Sequence, residues 1–529
     1  MKKAIKIIAS IIIIVLVLLF GAEWWLEGKI KKTASEQIYE KTGGRIIADV
    51  GRVNISLIGR KVNIEEVTFR TDTTRPVMPG IPFEYADGRI RTITVKGIHY
   101  HKKDSAISVS ARQFELDIPQ ATLISAKDAE DKRPEKTDTL GQQMKLAIGN
   151  FDLHLGDIFW KQHQHQDTVS YFVQELKWHM DDWKIDTAPD SIHPPCLCED
   201  IRISLNGFQN QFARNSQLLE IDSLSINGKE RMISVGRIAL IPRYPMEEFA
   251  LKSPGHTDWT KITAGKITLY GWDMQRLLKE QFLQIDSVDL QQADIASFKN
   301  RKIEQRKKVK RLFYQSVQQL PLHFAVRRVN LNHIDVKYLE LSENGERPGT
   351  ITFNRLNGMF YDLTNVSRPH QAYYTLKAEG KLMDRGVMRA SFRLPIAPRN
   401  DLFEVEGHLG AMSITDLNPM IEPLVKIRVV SGELDDLKFR IKGDSIQSKV
   451  DMVFLYRDLK VRLLKEKDGE IKVRSFLTTL ANGLIFTENN PNHRGERQVE
   501  ATAERDVYRS QFNYLWRSLL AGLKKSIGL

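Results

Sequence analysis

From Arg45 onward the apolar residues of this chain recur at every second position, and few stretches depart from that period. Ile93 and Val95 alternate with polar residues, as do Phe114, Leu116 and Ile118, then Phe151, Leu153 and Leu155, then Ile201, Ile203 and Leu205. The pattern returns in Val329 and Leu331, in Ile334, Val336 and Tyr338, in Val450, Met452, Phe454 and Tyr456, and in Leu459, Val461 and Leu463. Neighbouring strand residues point to opposite faces, so each run reads as a strand with one apolar face. Turn-like pieces such as Ala86-Asp87-Gly88, Asn227-Gly228, Glu343-Asn344-Gly345 and Lys467-Asp468-Gly469 stand between runs and suit hairpins. Regular strand–helix alternation is missing, which argues against a parallel α/β fold. The expectation is a mainly β chain, an elongated antiparallel meander. A single barrel or sandwich uses roughly 100–250 residues; a chain of 529 residues needs several sandwiches or one extended sheet.

Three segments break the period. Behind a basic stub, residues 1–6 with Lys2, Lys3 and Lys6, stands an almost unbroken apolar run at 7–22. With Ala4 and Ile5 included and Lys6 snorkelling, it reaches the roughly 17–25 residues of a spanning helix. The lysines keep the N-terminus cytoplasmic and place the bulk of the chain across the membrane. A cleaved signal peptide would carry a shorter core and a small-x-small exit. Here the exit is Phe20-Gly21-Ala22-Glu23, followed by Trp24 and Trp25 as an interfacial aromatic anchor, so an uncleaved anchor is expected. Residues 23–42 read as a membrane-proximal helix with Leu26, Ile30, Ala34 and Ile38 on one face, stopped by Gly43-Gly44.

The second break, 299–320, is a basic helical linker that divides an N-terminal β section (43–298) from a C-terminal one (321–504). Its charge run suits a solvated face, or contact with an anionic surface. The third, 505–529, is an amphipathic helix. Tyr508, Phe512, Leu515, Trp516, Leu519, Leu520, Leu523 and Ile527 make its stripe, and Arg505, Arg509, Arg517, Lys524 and Lys525 its charge. Phe512, Trp516 and Leu520 are its membrane-interface candidates, beside Trp24 and Trp25. Docking on the protein's own sheet is the equal alternative.

The net charge of +12 does not indicate nucleic acid, because the chain past the anchor never meets it and carries no zinc-finger or RNP-like spacing. Cys196 and Cys198, one residue apart, suit neither an unstrained disulfide nor a metal site alone. His163 and His165 share a strand face near His154 and His179, but no carboxylate or cysteine completes a metal set. No nucleophile elbow, phosphate loop or zinc-protease motif is present. The chain reads as a non-enzyme without cofactor or metal.

The layout resembles the AsmA-like and DUF748-type proteins of Gram-negative envelopes. The resemblance rests on the anchor, the helix and the break Thr42-Gly43-Gly44-Arg45. It rests also on the strand pair Val50–Arg60 and Lys61–Phe69, on Pro348–Gly358 with Asp362–Asn365, on Ile414–Pro419 and on Ser431–Leu437. It implies an elongated antiparallel sheet curled into an apolar-floored groove, held in the inner membrane as a single-pass protein with its bulk in the periplasm. The implied function is to bind or conduct phospholipid or another envelope lipid for outer-membrane assembly and homeostasis, with other envelope proteins as further partners. Ile334, Val336, Val450, Met452 and Phe454 are the groove candidates. The alternative is a non-enzymatic scaffold that assists outer-membrane protein assembly.

Overall fold

Strands make up 66% of the described residues, in a long sheet of mostly antiparallel pairs. The computed structural model describes residues 35–528, apart from 126–142, 187–196, 475–486 and shorter interruptions. The stub, the anchor at 7–22, and Trp24 and Trp25 lie outside the described residues. Among those described, no helix is long and apolar enough to cross a membrane. At the end of the expected membrane-proximal helix, residues 38–40 are helical. Gly44, at φ 76°, donates its N–H to Tyr39 O at 2.6 Å, a left-handed cap that glycine adopts without strain.

The described residues form two compact units: those up to 215 with 222–229, and 216–221 with 230 onward. The division therefore falls at 216–229 and not at the basic segment 299–320. The first unit holds β1 (Ile46–Ser56), β2 (Lys61–Thr71), β3 (Phe83–Lys96), β4 (His99–Lys103), β5 (Ala106–Ser125), β6 (Gln143–Gln164), β7 (Asp167–Asp186) and β8 (Asp200–Phe212). They pair in chain order, except that β3 joins β5 directly while β4 pairs with the start of β5.

The second unit takes the first half of β9 (Gln217–Asn227), whose residues 222–227 belong to the first, and continues through β10 (Met232–Val235), β11 (Ile238–Pro242), β12 (Trp259–Ala264), β13 (Ile267–Tyr270), β14 (Phe282–Asn300), β15 (His323–Leu341) and β16 (Gly349–Thr364). Then come β17 (Tyr373–Leu382), β18 (Gly386–Pro395), β19 (Phe403–Ser413), β20 (Ile427–Gly443), β21 (Gln447–Lys467), β22 (Glu470–Arg474) and β23 (Gln498–Glu504). Five α-helices accompany them: α1 (Met246–Lys252), α2 (Met274–Glu280), α3 (Phe313–Gln318), α4 (Asn418–Val425) and α5 (Gln511–Ile527).

Two pairings correct the purely antiparallel expectation. β5–β6 and β14–β15 are parallel. A parallel pair needs a crossover of a dozen residues or more, and 301–322 supplies it for β14–β15. This also corrects the reading of 299–320 as a helical linker. Lys299 and Asn300 finish β14, and among the segment's described residues only Phe313–Gln318 is α-helical. Like charges three and four apart disfavour a helix in the basic part.

Bulges account for a second difference. Val329-Leu331 and Ile334-Val336-Tyr338 change parity, yet both lie in the single strand β15. Gln292, His333 and Arg355, on successive strands, take φ of 54°, 53° and 51°. Each left-handed residue returns the following apolar residue to the same face. Side chains satisfy the backbone groups this leaves unpaired: Asn357 Oδ1 accepts from His333 N at 3.1 Å, and Asp335 Oδ1 from Arg355 N at 2.8 Å. Asp458, at φ 53°, likewise joins two runs inside β21. Ala86-Asp87-Gly88 is not a turn either. It lies within β3, where Gly88 faces Phe69 across the pair, and a Cβ there would sit 2.7 Å from the Phe69 ring.

The main core of the second unit lies where α5 packs on β19, β21 and β23. Tyr374, Phe403, Ile441, Val450, Tyr456 and Tyr514 are each at most 1–2% exposed. Every fourth residue of the buried helix face is Tyr514, Ser518, Gly522 or Ser526. The small ones let the helix axis approach the sheet: a Cβ on Gly522 would lie 2.8 Å from Met452 Cε. Ser518 and Ser448, both buried, share a 2.7 Å hydrogen bond. Ser510 caps the helix start and Gly528, at φ 89°, its end.

Candidate functional site

Residues directly opposite in register share a face of the sheet, so the strand pairings can be read crosswise. Val235, Ile267, Leu290, Leu331, Gly358 and Ala378 face one another in turn on β10 and β13–β17. The line continues through Ala390, Gly407, Phe439, Met452 and Val499 on β18–β21 and β23. No polar residue interrupts it. Two residues along, Ile233, Leu269, Val288, Val329, Phe360 and Leu376 begin a second apolar line, which Phe392, Val405, Ile441, Val450 and Ala501 complete.

The lines run across the strands, along the hydrogen-bonding direction. Eight inter-strand steps separate Val235 from Phe439 in the pairings. At about 4.8 Å each they make roughly 38 Å. That exceeds the ~15 Å that one leaflet contributes to a bilayer's hydrocarbon core.

Exposure differs along their course. From β10 to β18 the residues of both lines are half-exposed, as are Gly407, Phe439 and Ala501 beyond, whereas Val405, Ile441, Val450, Met452 and Val499 are buried. The sequence-predicted groove residues divide accordingly. Ile334 and Val336 lie past the bulge of β15: Ile334, opposite Ala293 and Leu356, is 7% exposed, and Val336, opposite Ile295 and Phe353, is half-buried. Val450, Met452 and Phe454 are core residues in the cluster that α5 completes, which corrects their expected place on an open floor. Gly358, Ala378, Ala390 and Gly407, in the half-exposed part, escaped the sequence reading. Their only signal was parity with apolar neighbours.

The helix itself is docked. Leu515, Leu519, Leu523 and Ile527 pack on the core, and Tyr514 meets Phe403 edge-on at 5.9 Å. Of the interface candidates, Phe512 remains 37% exposed while its ring touches Tyr338 at 5.4 Å and Phe353 at 6.2 Å. Trp516 and Leu520 are half-buried on the helix flank.

The first unit repeats the crosswise lines. Ile55, Val62, Val95, Phe114, Phe151, Met180 and Ile201 form one, and Val53, Ile64, Ile93, Leu116, Leu153, Trp178 and Ile203 the next. Its centre is closed: Phe114 and Phe151, each 1% exposed, stack at 5.6 Å.

Opposite faces carry charge. His179 sits between Asp152 at 2.6 Å and Asp181 at 2.9 Å, and His154 between Asp117 at 3.1 Å and Glu175 at 3.5 Å. Burial pushes the Asp181 carboxyl up, but His179, Lys229 and Arg202 outweigh it and hold it below its ordinary value. Among the described residues no group of three His, Cys, Asp or Glu is placed to hold a metal ion. A cleft of about 830 Å³ in the second unit is flanked by Lys377, Glu379, Arg389 and Glu406, whose charges balance.

Compared with known proteins, the chain matches no family model and no curated relative. What the fold defines is a class by architecture: a mainly β protein whose strands carry unbroken apolar lines across the sheet, half-exposed in one stretch of the second unit.

Proposed function

We propose that this chain is a membrane-anchored cell-envelope protein that binds or conducts lipid for outer-membrane assembly and homeostasis, without enzymatic activity. One observation carries the reading: the half-exposed apolar lines from β10 to β18. An alkyl chain laid along them meets Leu290, Leu331, Gly358, Ala378 and Ala390 in succession, with no hydrogen-bonding group to leave unsatisfied. In this reading the strands form an apolar-floored groove, open to acyl chains where no helix covers it. Phospholipid or another envelope lipid is the ligand, the apolar N-terminal segment supplies the inner-membrane anchor, and the bulk stands in the periplasm.

The alternative, a scaffold for outer-membrane protein assembly, draws support from the closed stretch under α5, which leaves no room for lipid. Photo-crosslinking in the full chain separates them. A probe at Leu376 should capture phospholipid, and one at Lys377, of opposite parity, should not. Equal capture at both would refute the groove.

A further inference from the structure

Two basic segments almost 200 residues apart in sequence meet in the second unit. Lys310 donates its N–H to Val507 O at 2.8 Å, Arg505 Nη2 donates to Lys310 O at 2.5 Å, and Phe313 N donates to Gln511 Oε1 at 2.7 Å. The crossover after β14 is thereby laid along the approach to α5. The surface they make is basic. Of the acidic groups there, Asp258 is within 3.8 Å of Lys310, Asp506 is within 3.4 Å of Arg509, and Glu304 stands exposed on the crossover. Lys307, Lys308 and Arg311 are exposed and have no ion-pair partner among the described residues. Burial holds the Lys299 ammonium below its ordinary value; Asp258 opposes that, while Lys310, Arg509 and Arg301 add to it.

The same surface is also apolar at its tips. Val309 is 60% exposed, Tyr508 46%, Phe313 43% and Phe512 37%. Unpaired cations beside exposed aromatic and aliphatic side chains fit one environment well, the interface of an anionic bilayer. There cations meet headgroups, and rings sit at the boundary of the acyl region. A nucleic acid would satisfy the cations but leave Val309, and the exposed part of the Phe313 ring that packs on Phe360 and Tyr374, in a polar surrounding.

We propose that residues 307–313 together with 505–512 form a docking surface for a membrane of anionic lipids, separate from the N-terminal anchor. The surface needs no lipid inside the sheet, so it stands whether or not the groove carries cargo. Lipid capture at Leu376 is scored independently of docking, and either result can fail alone.

The test uses the full chain held in phosphatidylcholine nanodiscs, mixed with vesicles of phosphatidylcholine with or without phosphatidylglycerol. Flotation should favour the phosphatidylglycerol vesicles. The triple change Lys307→Gln, Lys308→Gln and Arg311→Gln should lower that affinity on the order of a hundredfold. Val309→Ser with Tyr508→Ser should lower it further while leaving the salt dependence in place. Equal flotation with both vesicles, or a triple variant that folds and binds as before, overturns the proposal. So does binding to heparin that phosphatidylglycerol vesicles fail to displace, which would assign the surface to an acidic polymer. If the triple variant loses its cooperative melt, the unaltered chain decides: flotation that persists at high salt overturns the proposal, and release by salt supports it.

Discussion

Ile441 and Leu331 occupy the same apolar face of one sheet, yet Ile441 has no exposed surface and Leu331 is half-exposed. Nothing in their own strands explains the difference. Both sit in alternating runs, and both stand opposite apolar partners. What separates the two stretches is a helix from the far end of the chain, which packs on β19, β21 and β23 and meets the earlier strands through Phe512, against Tyr338 and Phe353. An apolar sheet face is thus a core where something lies on it and a candidate lipid surface where nothing does.

The largest test of that contrast is a pair of truncations. Ile441→Ala should destabilise the second unit by about 2–5 kcal/mol, because the closed stretch cannot relax into the space left behind. Leu331→Ala should cost on the order of 1 kcal/mol or less, since a half-exposed side chain gives up only part of its burial. Denaturant melts of both variants measure this. Equal losses would mean that the first stretch is covered as well, and the contrast would break.

A second test replaces Gly522 with leucine. Its side chain would have to enter the space of Met452, and overpacking of this kind costs about 1–3 kcal/mol. The gain would be informative: if α5 lifts, Val450 and Met452 should become reachable by the lipid probes that label Leu376. Loss of stability with no new labelling would show that the helix shifts without opening the floor.

Alkaline titration sharpens the same boundary. Burial pushes the phenols of Tyr456 and Tyr514 up to about 12, and raises that of Tyr374 as well. A raised phenol stabilises the fold fully below its unfolded pKa near 10 and loses that contribution as the pH climbs through the folded value. The closed stretch should therefore hold to about pH 10 and melt at progressively lower temperature toward pH 12. Tyrosinate absorbance should rise together with unfolding. Early titration of all tyrosines in the folded chain would contradict a closed core.

The smallest effect concerns the hydrogen bond between Ser448 and Ser518. Ser448→Ala should cost about 1 kcal/mol, as Ser518 keeps its bond to Tyr514 O at 2.9 Å. A much larger loss would place more of the helix's attachment in that one polar contact than in Leu515, Leu519 and Leu523.

The period of two was enough to establish strands and one apolar face, because side-chain direction along a strand is a local property. It identified the terminal helix for the same reason: a stripe at helical spacing depends only on neighbours within a few turns. Local pattern could not distinguish a bulge from a turn, as at Gln292, His333 and Arg355, where left-handed backbone keeps one strand going. Nor did it reveal that β5–β6 and β14–β15 run parallel, since the two directions ask for the same alternation.

Where the helix would bind was beyond reach as well. Ser518, Gly522 and Ser526 look like gaps in an amphipathic stripe, yet they are its closest contact with the sheet. By itself the sequence determined the strands, their apolar parity and a docking-competent helix. The tertiary structure decided which part of that face is covered, and it brought Lys307–Arg311 beside Arg505–Phe512, because such contacts join residues that chain distance keeps apart.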